Sequence, residues 1–60
     1  MNAGDRVLVT VLGDRVEAYV REPWTALGNV LVELRVSVEI DGKRITTVVR
    51  SREDVEAIDR

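Results

Sequence analysis

Four carboxylates crowd the last stretch of the chain, "SREDVEAIDR": Glu53, Asp54, Glu56 and Asp59. Oxygen ligands of this kind hold calcium or magnesium. Here they lack the glycine-bearing loop of a dedicated site, and Arg52 and Arg60 flank them. They are read as a solvated helical turn whose acids suit the helix dipole. The rest of the catalytic inventory is short. The chain has no histidine and no cysteine, so Ser-His-Asp and Cys-His machinery cannot be assembled. Disulfides and Cys/His zinc sites fall with them. Ser37 reads as an outward strand residue and Ser51 as a cap. Lys43, the single lysine, sits beside a hairpin tip, whereas a Schiff-base lysine needs a desolvated pocket. Gly4, Gly13, Gly28 and Gly42 lie far apart and build no phosphate-cradling loop. The expectation is no catalysis, no cofactor, no metal and no small-molecule substrate.

Binding chemistry is what remains. Arg6, Arg15 and Arg21 can meet phosphates, and Trp24 can stack on a base. The charge balance opposes that use: nine Lys and Arg against eleven Asp and Glu, net −2, where a nucleic-acid footprint is normally basic. The other candidate is apolar. Trp24 is the only tryptophan and stands in "REPWTALGN", beside the only proline. Leu8, Leu12, Tyr19 and Leu31 occupy positions where strand alternation calls for polar residues. With Trp24 and Leu27 leaning over them they form one exposed apolar patch, the mark of a protein interface. Trp24 has a structural reading too, as a lid on one end of a valine core. On either reading its ring is expected to be mostly buried in the physiological assembly.

These side chains must be carried by strands. Twelve of the residues are valine and none is phenylalanine, a composition suited to pleated surfaces. After "MNAG", expected to fray, "DRVLVTVL" sets Val7, Val9 and Val11 on one face at period two. Gly13-Asp14 reads as a primed hairpin turn, which places Val11 opposite Val16 and Arg6 opposite Arg21. "NVLVELRVSVEI" is a long half-buried strand, ended by an Asp41-Gly42 hairpin. That turn sets Val38 opposite Ile45, Val36 opposite Thr47 and Leu34 opposite Val49. It also sets Glu39 opposite Arg44 and Glu33 opposite Arg50, exposed pairs each worth under roughly 1 kcal/mol. Pro23 and Gly28 can bracket a short helical turn over 23–27. A second one is expected near 52–58, where Ser51 caps with Asp54; a 3₁₀ turn followed by a closing strand is the alternative.

Residues 1–60 therefore read as a single all-β domain, mainly antiparallel, with four to five strands. At this length two full sheets cannot form, and a sheet curled into a small barrel removes the exposed edges. The ending "TTVVRSREDVEAI" and the opening "GDRVLV" resemble SH3-like small barrels of the KOW, Tudor and photosystem accessory-subunit kind. The tyrosine cluster and tandem-proline groove of peptide-binding SH3 domains have no counterpart. The resemblance implies an SH3-like barrel acting as an accessory module. The function expected is docking on a protein partner or on itself, with nucleic-acid binding as the alternative. No stretch reaches the roughly 20 apolar residues of a membrane span and no signal peptide is visible, so a cytoplasmic setting is expected.

Overall fold

A computed structural model of the chain describes residues 1–25 and 27–58. Five strands form one antiparallel sheet: β1 (Arg6–Val11), β2 (Asp14–Glu22), β3 (Asn29–Ile40), β4 (Lys43–Ser51) and β5 (Glu56–Ala57), with a 3₁₀ turn at Arg52–Asp54 before β5. The strand order is β4-β3-β2-β1-β5. The inward residues are those the alternation marks: Val7, Val9 and Val11 from β1, Ala18 and Val20 from β2, Val30, Val32 and Leu34 from β3, joined by Val55. Val7, Val9, Val30 and Val32 have no exposed surface. One face of a flat sheet would remain wet, so the sheet curls over these side chains, an arrangement compatible with a small β-barrel.

The curl is held by an arginine. Arg50 lies opposite Val30, and its guanidinium donates from Nε and Nη2 to the Thr10 carbonyl at 3.1 and 3.0 Å. A side chain on the edge strand β4 thus ties down the far half of β1, where β5 does not reach. The amino terminus does not fray. Gly4 N–H donates to the Val20 carbonyl at 2.7 Å, and Asn2 N–H donates to the Asp5 carboxylate at 2.8 Å.

The first hairpin turns one residue earlier than expected, on Leu12-Gly13, with Val11 opposite Asp14 and Val9 opposite Val16. Both turn residues have positive φ, 52° and 84°, as a type I′ turn requires. The pairing slides by two residues, so each side chain keeps its face. Arg6 meets Tyr19 instead of Arg21. Leu12 gains nothing for its left-handed backbone, being 72% exposed. Asn-Gly is the preferred pair for this turn, and L12N should raise the unfolding free energy by about 1 kcal/mol. A midpoint in chemical denaturation unchanged or lowered by L12N would contradict the turn assignment.

The second hairpin follows expectation at its tip, with Ile40, Glu39 and Val38 opposite Lys43, Arg44 and Ile45. Beyond Val38 it departs. Glu33 faces Thr47, Val32 faces Val48 and Leu31 faces Val49, so 34–37 of β3 bulge against Thr46 alone. Pairs of Val36 with Thr47, Leu34 with Val49 and Glu33 with Arg50 are absent. The cause is competition for β3. Leu34 is buried opposite Ala18 of β2, while the Asp41-Gly42 turn holds Val38 to Ile45 of β4. Only a bulge satisfies both. It turns Val48 inward and leaves Val49 about half exposed.

Pro23 to Thr25 form no helical turn. Their loop closes through Thr25, whose N–H donates to the Asn29 carbonyl at 2.9 Å and whose carbonyl accepts from Gly28 N–H at 3.0 Å. Gly28 has a left-handed φ, 78°. At the other end the 3₁₀-plus-strand alternative is the one adopted. Ser51 makes no bond to the turn's backbone; its hydroxyl donates to the Asp54 carboxylate at 2.7 Å. Val55 turns into the core and Ile58 N–H bonds the Arg6 carbonyl.

Candidate functional site

The β2–β3 loop presents the one indole outward. Trp24 is 58% exposed, so it is not a lid on the valine core. Thr25 sets the loop: its Oγ1 accepts from the N–H groups of Leu27 and Asn29 at 3.4 and 3.2 Å. Gly28 lies under the indole; a Cβ there would sit 3.8 Å from Trp24 Cζ3. The Arg52 guanidinium stacks 4.4 Å from the ring centroid. A cation over the face orients an exposed ring. Leu27 stands beside it, 86% exposed.

The strand register continues this site along the outer face. Asn29 faces Ser51, the pair next to Trp24's supports Gly28 and Arg52. One outward step along the ladder, Leu31 faces Val49. Loop, Arg52 and the Leu31–Val49 pair thus form a strip at one end of β3 and β4. Val49 and Arg52 escape sequence reasoning, because alternation places Val49 inside until the bulge is known. The spacing of Ile45 and Val48 around two threonines is the signal for it.

The other candidates do not join a single apolar face. Leu12 is in the β1–β2 turn, at the end of β2 opposite the Trp24 loop, roughly 25 Å away along the strand. Leu8 is half-buried between Glu17 and Glu56. Tyr19, 37% exposed, lies between Arg6 and Glu33. Leu31, half-buried, is the one of these outer-face residues that adjoins the Trp24 loop.

The three arginines nominated for phosphate all meet carboxylates. Arg6 Nε is 2.8 Å from Glu17 Oε2, Arg21 Nη1 is 3.0 Å from Glu33 Oε1, and Arg15 pairs with Glu56. Arg35 joins Glu17 as well, at 3.5 Å. Of the acidic group, Glu53, Asp54 and Glu56 are exposed and Asp59 lies outside the described residues. Among the described residues no three acidic, histidine or cysteine side chains converge on a cation position, and no helix is long and apolar enough to cross a membrane.

No family model, curated protein or solved structure matches this chain.

Proposed function

We propose that this chain is a non-enzymatic binding module, an SH3-like small barrel that docks on a protein partner, or on a second copy, through the Trp24 strip. The observation that carries the reading is Trp24 itself. An indole can bury on the order of 200 Å², and this one is held outward by Thr25, Gly28 and Arg52 beside an exposed Leu27. Interfaces concentrate their energy in such aromatic and arginine anchors. The SH3-like assignment is supported by β1 lying between β2 and β5 and by the 3₁₀ turn that leads into β5. An accessory subunit in the cytoplasm is the setting this reading implies.

Trp24 emission tests it without a label. At low concentration the chain alone should emit at long wavelength and be quenched freely by acrylamide. Emission should shift blue, and quenching fall, when a partner or a second copy docks on the Trp24 strip itself, with weak dependence on salt. The nucleic-acid alternative predicts the reverse: a tight electrophoretic shift of mixed DNA and RNA that weakens steeply with salt. That shift, with Trp24 quenched freely at every protein concentration, would overturn the proposal.

A further inference from the structure

The ladder between β2 and β3 stops at the pair Ala18 and Leu34. Beyond it Asp14–Glu17 are paired with β1 only, and the tip of β3 is paired with β4 only. The two strands splay. A groove of about 350 Å³ opens between them, lined by Val16, Glu17, Arg35, Val36 and Val38. Val36 is 71% exposed. The β3 edge facing this gap runs over residues 35–40, about 20 Å. A row of strand N–H and C=O groups without a neighbour is a template for another strand.

We propose that this edge pairs with the same edge of a second copy, antiparallel, about a two-fold axis at Ser37. The sequence "RVSVE" is self-complementary under that operation. Arg35 faces the second copy's Glu39, and Val36 faces the second copy's Val38; symmetry repeats each pair. Facing opposite charges and aliphatic pairs both stabilise an antiparallel ladder, and the contact is isologous and closes at two copies. Within each copy Arg35 already reaches Glu17 and Glu39 already faces Arg44. Dimerisation extends each Glu39–Arg44 pair into a row of alternating sign: Arg44, Glu39, the second copy's Arg35. The Trp24 strip lies at the other end of β3 and takes no part.

Sedimentation of the full chain from micromolar to millimolar concentration tests this. A dimer is expected, and its dissociation constant should rise at least about tenfold in R35E, in E39R and in V36K. The double variant R35E/E39R should return to within about threefold of the unsubstituted chain. It leaves both intrachain partners, Glu17 and Arg44, mismatched, so recovery can come only from the interchain pairs. Thermal unfolding at low concentration confirms that each variant folds. Amide exchange over residues 35–39 should slow as concentration rises, while Trp24 quenching stays unchanged. A chain that is monomeric throughout would overturn the proposal. So would a dimer indifferent to these substitutions, or one abolished by W24A alone, which would place the contact on the Trp24 strip.

Discussion

Replacing Val32 by alanine should lower the unfolding free energy by about 2–3 kcal/mol, the cost of a small cavity in a packed interior. Val32 has no exposed surface, and both of its ladder neighbours, Val20 and Val48, are aliphatic. No large side chain is at hand to fill the space, since the chain has no phenylalanine and its one tryptophan is on the surface. A domain of this size has a total stability of about 3–9 kcal/mol. The loss is therefore a large share of it, and the thermal midpoint should fall by about 10–20 °C. Val36 supplies an internal control: same residue type, same strand, 71% exposed in the bulge. V36A should stay within about 0.5 kcal/mol of the parent. Equal effects of V32A and V36A in denaturant titrations would contradict the burial assigned to β3.

Replacing Trp24 by alanine should separate stability from binding. Its ring is 58% exposed and stacks on the Arg52 guanidinium. An exposed cation–π pair contributes about 0.5–1 kcal/mol, so W24A should fold with a midpoint only a few degrees lower. Its effect on docking should be far larger. Truncation of an aromatic anchor commonly costs 2 kcal/mol or more, about thirtyfold in affinity. Surface plasmon resonance of W24A against whatever partner the unsubstituted chain retains would measure this. A variant that fails to fold would restore Trp24 as a structural lid. A variant that folds and binds undiminished would remove the strip from the function.

The division between local and long-range information runs through particular residues. Strand identity and the inward face of β1, β2 and β3 were legible because side chains alternate with period two along a strand. The Asp41-Gly42 turn was legible because I′ turns need positive φ at both central residues, and Asp-Gly tolerates it. The turn at Leu12-Gly13 was not. Sliding the first hairpin by two residues leaves every face unchanged, so alternation cannot distinguish the two registers. The bulge over 34–37 lay beyond sequence reasoning for another reason. It is the outcome of β2 and β4 claiming different registers on β3, and neither claim is visible from β3 alone. From that bulge follow the outward turn of Val49, the inward turn of Arg50 and the splayed groove at Val36. Trp24 was legible as the odd residue in its loop, and its apolar character marked it for contact. Only the assembled fold decided that the contact is not with its own core. The curled valine sheet packs its core without an indole, and Thr25, Gly28 and Arg52 hold the ring on the outside.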